Sequence, residues 1–404
     1  MTAVARLSSP LRRGACPGVV DAMESADGWL MRVRLPGGAV SPAGVRTIAR
    51  VAGAFGSGEI AITSRANVQI RGIGEADLGA AAEVLIAAGL ALADPTLDAR
   101  RGVVVAPLAG HDPTELLPAS EVAAAVLDAL AGAPLHGPLP AKFGVVIDGG
   151  GRCGVRQVPG HVCLGAVESD GPTPRWQLAL GSSLDADTST VRLLPASSTA
   201  AELTKVVVNV AVDLTRQGCL ADVEGLDSLP IDEITTVSAP DHQGTRIEDR
   251  VGRFAHPHPD RCNLVAGAFL GRLSSAAASA VADLVESVVP TAEIRTAPSG
   301  RLALVGVSRS KAAQLTRALS ELGLSCDPTD ARHLVSACVG SPGCASARAE
   351  TTDAARGLAS DMTASGPRGF VHLSGCEKLC GAPADATILV ADNSGRFVAT
   401  DGPR

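Results

Sequence analysis

The 404-residue sequence predicts an α+β fold built twice over, on three observations. A strand–turn–strand–helix pattern occurs twice at a fixed offset of 234 residues. Each copy is followed by its own series of apolar strands and helical segments. Four cysteines are confined to the second of these following segments, in Gly-rich loops.

The first copy is "IAITSRANVQIRGIGEADLGAAAEVLIAAGLALADP", ending at Pro95, and the second is "AEIRTAPSGRLALVGVSRSKAAQLTRALSELGLSCDP", ending at Pro328. Each reads as strand, turn, alternating strand, helix, Gly, short strand and Asp-Pro. Ile70-Arg71-Gly72-Ile73 aligns with Leu304-Val305-Gly306-Val307, and Gly89 with Gly323, as an internal duplication requires. The units resemble small α+β half-domains of ferredoxin-like type, and chance similarity between two strand–helix patterns is the alternative reading. After copy one come the strand "GVVVAPLAG", a helix over Ala119–Leu130, "LPAKFGVVIDGGG" and a helix over Ala200–Arg216. After copy two come "RHLVSACVGSPGC", a helix over Ala345–Met362 and "GFVHLSGCEKLCGAPADATILV". Acidic, Pro-containing sequence near Glu224–Asp249 joins the halves. The divisions expected are 1–96 and 247–328 for the half-domains, and 97–246 and 329–404 for the α/β subdomains that follow them.

Composition limits what such a chain does. Hydrophobic residues make up 46% and aromatics 2%, with no Tyr, so Ala, Val and Leu must build the core. A net charge of −7 argues against a nucleic-acid partner, and an anionic ligand would need a local cluster of Arg and Lys. "MTAVARLSSPLRRGAC" lacks the apolar core of a secretory signal. No run reaches the ~18 apolar residues of a membrane span. A cytoplasmic protein without membrane association is expected, in which the ten cysteines serve as ligands or core residues rather than disulfides.

A local cationic cluster is visible in "AITSRANVQIRGI". Alternation puts Ile62, Ala66, Val68 and Ile70 on one face, and Thr63, Arg65, Asn67, Gln69 and Arg71 on the other. In a continuous strand Arg65 and Arg71 would stand roughly 20 Å apart, a spread suited to a wide polycarboxylate. An ordinary solvated strand face has the same alternation. The duplication argues for a ligand face, because copy two has Arg301 at the position of Asn67 and Val305 at that of Arg71. Arg100, Arg101, Lys142 and Arg152 are further basic candidates, each also readable as a surface charge.

Cys338 and Cys344 form C-x5-C, and Cys376 and Cys380 form C-x3-C after a spacer of 31 residues. Glycines in these loops would let backbone N–H groups approach sulfur. Structural zinc favours shorter knuckles, and an iron–sulfur cluster tolerates varied spacing. Spacing alone leaves cluster, zinc and inert buried thiols open.

The same cysteine spacing resembles the signature of the nitrite and sulfite reductase superfamily. "TSRANVQIRGI" is similar to its first-repeat strand and "LPAKFGVVIDGGG" to its L-P-R-K-F-K segment. The resemblance runs through nearly the whole chain and implies a duplicated nitrite/sulfite reductase-like architecture. It also implies a [4Fe–4S] cluster on Cys338, Cys344, Cys376 and Cys380 beside a tetrapyrrole. Within the superfamily, "RGACPGVVDAMESADGWLMRVRLPGG" and "SGCEKLC", with Lys378, resemble the precorrin-3B synthase family of oxygen-dependent cobalamin biosynthesis. Two positions depart from the reductase pattern. Gly144 stands at the second lysine of K-F-K, and Ala66 replaces the usual Gln.

That resemblance implies a monooxygenase taking precorrin-3A and O2, with hydroxylation at C20 and closure of the ring-A acetate onto C1. Arg65, Asn67, Gln69, Arg71, Arg100, Arg101, Lys142 and Lys378 would bind the substrate. A mononuclear non-haem iron is implied as well. Its candidate ligands are His256, His258 and Asp260 in "AHPHPDRC", or His161 with Cys153 and Cys163; both sets also read as a solvent loop or core residues. Cys16, Cys219 and Cys326 read as structural. No G-x-G-x-x-G marks a nucleotide site, so a separate NADH-linked reductase or a ferredoxin is the expected electron donor. Two rivals remain: a sirohaem-dependent sulfite or nitrite reductase, and a non-enzymatic iron–sulfur electron carrier.

Overall fold

A computed structural model describes residues 17–140, 142–169, 173–185, 192–217, 247–366, 369–383 and 386–400. Cys16, Cys219 and the joining sequence from Glu224 as far as residue 246 lie outside the described residues.

The duplication read from sequence is present in the backbone. In copy one, strands Met23–Ser25, Gly28–Val33, Val68–Ile73 and Glu59–Ile62 lie in that order across an antiparallel sheet. In copy two the same places are taken by Gly252–Ala255, Arg261–Ala268, Arg301–Ser308 and Glu293–Ala297. Helix Pro42–Phe55 starts at Ser41, whose Oγ accepts Gly44 N–H at 3.0 Å. Helix Ser275–Val288 starts the same way at Ser274, on Ala277 N–H at 3.1 Å. Gly72 and Gly306 both hold positive φ, 71° and 78°, inside their strands. That backbone is open to glycine and strained for any other residue there.

The half-domains are interlocked. Strand Ala39–Val40 of copy one pairs with Glu293–Ala297 of copy two, and Arg272–Ser274 of copy two pairs with Glu59–Ile62 of copy one. One core therefore runs through both sheets, with Ile48, Ile70, Ile73 and Leu85 from copy one beside Val285, Leu304, Leu315 and Leu319 from copy two. The segment between the divisions at 96 and 247 holds a separate core drawn from residues 103–214, while the two half-domains on either side of it share one.

The following subdomains repeat each other too. Val103–Val105, Val145–Asp148 and Val162–Val167 run parallel, and Arg175–Leu180 closes antiparallel. Val335–Ala337, Val371–Ser374 and Thr387–Ala391 run parallel, and Phe397–Thr400 closes antiparallel. Helices Ala119–Gly132 and Ala200–Gln217 cover the first sheet, matching the apolar periodicity of those segments. Helix Thr352–Ser365 covers the second.

Two expected elements differ. The helix expected from Ala345 begins at Thr352, where Glu350, just ahead of it, accepts the N–H groups of Thr352 and Asp353 at 2.6 Å each. Upstream of it, Arg348 N–H donates to Gly375 O at 2.8 Å, which ties that segment to a cysteine loop. The strand expected through Thr63–Arg71 begins only at Val68. Thr63–Asn67 instead forms the hairpin turn, with Thr63 and Asn67 bonded through their backbones and Ala66 at φ 57°. No helix among the described residues is long and apolar enough to cross a membrane.

Candidate functional site

The hairpin turn places Arg65 and Asn67 at the mouth of a cleft between the first sheet and the first α/β subdomain. Arg65 Nη1 donates to Lys142 O at 2.8 Å. Arg32, Arg34, Arg65, Asn67 and Lys142 line the cleft together with Gly102, Phe143 and Gly144. Its volume, open to solvent, is about 560 Å³. Four cations converge here in a chain of net charge −7, which is the local concentration of positive charge that an anionic ligand requires.

Arg32 and Arg34 escaped the sequence reading, which followed alternation along a single strand. Arg32 stands directly across from Gln69, so it shares that face of the sheet. The signal was the i, i+2 spacing of two arginines in "LMRVRLP". Arg34 is fixed by Asp98, which is 3% exposed, at 2.7 Å. Gly144 also has a role in the cleft. A Cβ there would lie 3.6 Å from Arg65 Nη1, so the room of the missing second lysine is left to the Arg65 guanidinium.

Several expected ligand donors are engaged elsewhere. Arg100 Nη1 donates to the carbonyls of Leu130, Ala131 and Ala133, capping the C-terminus of helix Ala119–Gly132 at 2.9–3.1 Å. Arg101 donates to Leu90 O and to Asp98. Both are structural, because carbonyls and a buried carboxylate compete for their guanidinium groups. Gln69 lies on the same sheet face but outside the cleft lining. Arg152 pairs with Asp249. Arg301, aligned with Asn67, is buried, and its Nε donates to Pro298 O at 3.0 Å. Burial and nearby Arg250 push its guanidinium down to about 10. The face of copy two equivalent to the cleft is closed by apolar packing of Val265, Ala303 and Val305 on Leu108 and Cys153. Copy two is thus scaffold at that place.

The four cysteines reach one neighbourhood through sheet topology. Strands Val335–Ala337 and Val371–Ser374 are adjacent and parallel, so the loops leaving their C-terminal ends lie side by side. Cys338 N–H donates to Leu373 O at 3.0 Å, and Gly375 N–H donates to Cys338 Sγ at 3.1 Å. Burial first, then the charges of Cys376, Cys338 and Cys344, push the Cys380 thiol up, so the other three lie within electrostatic reach of Cys380. Lys378 Nζ bonds Ser346 Oγ at 2.6 Å, linking the two loops rather than lining the cleft. Among the described residues no group of three or more His, Cys, Asp or Glu side chains stands in metal-holding geometry. The donor set still fits an iron–sulfur cluster by its chemistry: four thiols from two loops, with a backbone N–H already directed at sulfur.

The donors considered for a mononuclear iron do not fit. His256 Nδ1 accepts His258 N–H at 2.9 Å and His258 Nδ1 accepts Asp260 N–H at 3.2 Å, so these rings cap a turn. His256 Nε2 lies 3.3 Å from His111 Nδ1, and burial holds both imidazoles below their usual range. Cys163 Sγ faces Ser182 O at 3.1 Å inside one core, and Cys153 is packed in another. Burial pushes both thiols up to about 12. His161 is half-buried against Phe143, and burial and Arg65 hold it below its usual range. The same logic applies to Cys326, pushed up to about 11 by burial. No step can be routed through either set.

Comparison with known proteins agrees with this architecture. Residues 22–88 match the nitrite/sulfite reductase ferredoxin-like half domain. A precorrin-3B synthase of Sinorhizobium sp is 29% identical across 100% of this chain and 86% of its own length. Sulfite reductase [ferredoxin] 2 of Mycolicibacterium paratuberculosis is 27% identical across 90% of this chain and 69% of its own. The solved structure of the Mycobacterium tuberculosis NirA protein superposes with TM-score 0.69 at 22% identity, over 92% of this chain and 73% of that one. The chain therefore has the duplicated nitrite/sulfite reductase-like fold, and the resemblance to precorrin-3B synthase read from its motifs holds along its whole length.

Proposed function

We propose that this chain, whose similar proteins are oxidoreductases, is an oxygen-dependent monooxygenase of the precorrin-3B synthase type acting on precorrin-3A. The observation that carries the reading is the cleft, where Arg32, Arg34, Arg65 and Lys142 gather beside Gly144. A macrocycle rimmed with acetate and propionate groups matches several guanidinium groups on one wall. A small oxyanion would instead call for the second lysine whose place Gly144 holds.

In this reading Arg65 and Lys142 pair substrate carboxylates, with Arg32 and Arg34 adding positive charge on the same wall and Asn67 adding a hydrogen bond. Asp98 anchors Arg34 by accepting from its Nη1 at 2.7 Å. Cys338, Cys344, Cys376 and Cys380 would hold a [4Fe–4S] cluster, which supplies electrons one at a time when bound. One atom of O2 becomes the C20 hydroxyl, and the other leaves as water after two electrons and two protons are taken up. The ring-A acetate closes onto C1. The electrons come from a separate NADH-linked reductase or a ferredoxin.

The test is conversion of precorrin-3A by anaerobically purified protein given 18O2 and reductant, with the label expected in the C20 hydroxyl. A second reading, a sirohaem-dependent sulfite or nitrite reductase, is favoured by the match to the mycobacterial sulfite reductase. Sulfite turnover by sirohaem-loaded protein without O2, and no action on precorrin-3A in air, would replace the first reading with the second.

A further inference from the structure

Arg71 was expected to bind the ligand, and its surroundings say otherwise. Its Nε bonds Asp27 Oδ2 and its Nη2 bonds Asp27 Oδ1, both at 2.9 Å. The same Nη2 donates to Ser25 Oγ at 2.6 Å and to Gly343 O at 2.7 Å. Ser25 Oγ–H donates to Gly343 O as well, at 2.9 Å. Both lone pairs of one carbonyl in the C-x5-C loop are thereby taken by groups of the first sheet. Only Nη1 remains for anything else.

The carbonyl concerned belongs to the peptide joining Gly343 to Cys344. The N–H of that peptide donates to Gly340 O at 2.9 Å. The peptide plane is held on both edges, by Arg71 and Ser25 on one side and by Gly340 on the other. A fixed peptide plane fixes the Cα of Cys344, and with it the arc its sulfur can sweep. The side chains of Arg71 and Asp27 are 14% and 26% exposed, so their bidentate pair is partly shielded from water. Arg71 also lies on the sheet face that carries Gln69 and Arg32. About 13 Å of strand separates it from Asn67 at the cleft, at ~3.3 Å per residue.

We propose that Arg71, oriented by Asp27 and assisted by Ser25, is a positioning residue that sets Cys344 for the metal centre, and that it does not bind the tetrapyrrole. This rests on the reading of the four thiols as cluster ligands. The pair also joins the half-domain that carries the ligand face to the loop that carries the first two thiols.

The experiment compares wild type with Arg71→Met, Arg71→Lys, Asp27→Asn, Ser25→Ala and, as a control, Arg65→Ala. All are purified anaerobically and checked for a normal unfolding temperature. Release of iron to a ferrous chelator should be about tenfold faster in Arg71→Met and Asp27→Asn, and roughly twofold faster in Ser25→Ala, in the order of the bonds removed. The low-temperature EPR signal of the reduced cluster should shift in the first two. Arg71→Lys should not rescue either readout, since an ammonium cannot span both oxygens of Asp27 and also reach Gly343. Arg65→Ala should match wild type in iron release and EPR, and precorrin-3A affinity should stay within about twofold in every Arg71 variant, because Nε and Nη2 of its guanidinium are already committed. Wild-type iron release and EPR in Arg71→Met, together with lost precorrin-3A affinity, would overturn the proposal. Wild-type protein free of iron and acid-labile sulfide would instead defeat the cluster reading. The clamp is then decided on the metal-free chain by alkylation with iodoacetamide. Cys344 should react at least about fivefold faster in Arg71→Met while Cys380 is unchanged, and equal Cys344 rates would refute it.

Discussion

Replacing Arg65 by alanine separates a ligand cleft from a merely basic surface. One nitrogen, Nη1, is spent on Lys142 O, which leaves Nε and Nη2 for a substrate carboxylate. A hydrogen bond to a charged group contributes about 1.5–3 kcal/mol, and partial solvent exposure places Arg65 in the lower half of that range. A loss of about 1.5–2 kcal/mol corresponds to a roughly 13- to 30-fold rise in Kd for precorrin-3A. The assay is an anaerobic absorbance titration at two salt concentrations, and the wild-type affinity should itself fall with salt. Folding should change by less than about 0.5 kcal/mol, since the side chain stands at a turn and packs no core. Arg100→Ala is the opposite case. It frees three carbonyls at the end of helix Ala119–Gly132, so it should cost about 1–3 kcal/mol of stability and leave Kd alone. A wild-type Kd in folded Arg65→Ala, or a Kd loss in Arg100→Ala equal to that in Arg65→Ala, would refute the reasoning.

Cys344→Ser should lose the visible absorption and most of the about four irons and about four sulfides expected per chain, whereas Cys163→Ser, altering a thiol inside a core, should keep both. Asp98→Asn leaves Arg34 and Arg101 facing a neutral buried amide, so urea unfolding should report a loss of about 3–5 kcal/mol. His372 is 1% exposed with no partner on Nε2, and burial pushes it down to about 4 from 6.5. A folded value below the unfolded one means that protons favour the unfolded chain. Stability is therefore complete above pH 6.5 and falls as pH drops towards 4, by about 2 kcal/mol between pH 7.5 and 5. Urea midpoints across that range should show the slope in wild type, and His372→Gln should flatten it.

Sequence by itself determined the features that depend on local pattern. The 234-residue offset exposed the duplication because equal segments must make equal turns, and Gly72 and Gly306 adopt the same positive φ for that reason. Helix Ala119–Gly132 was legible because its apolar positions repeat with the period of a helix. The C-x5-C and C-x3-C pairs were visible as two motifs, since each lies within one loop.

Tertiary structure alone decided which charges are available. Arg65, Arg71, Arg100 and Arg101 look alike in sequence, as solvated cations near a strand. Only folding sets a carbonyl of the Cys344 loop against Arg71, a helix terminus against Arg100 and a buried carboxylate against Arg101, while leaving Arg65 at the cleft. Arg32 joins it because a neighbouring strand brings it across from Gln69, a pairing between residues 37 positions apart that no local periodicity contains, and Arg34 lines the same cleft two residues further on. The two cysteine motifs meet for the same reason: adjacent parallel strands place their C-terminal loops together. A guanidinium keeps its charge wherever it lies, so its chemistry can be read from sequence. Its partner is whatever the fold brings within hydrogen-bond distance, and that depends on chain segments far away in sequence.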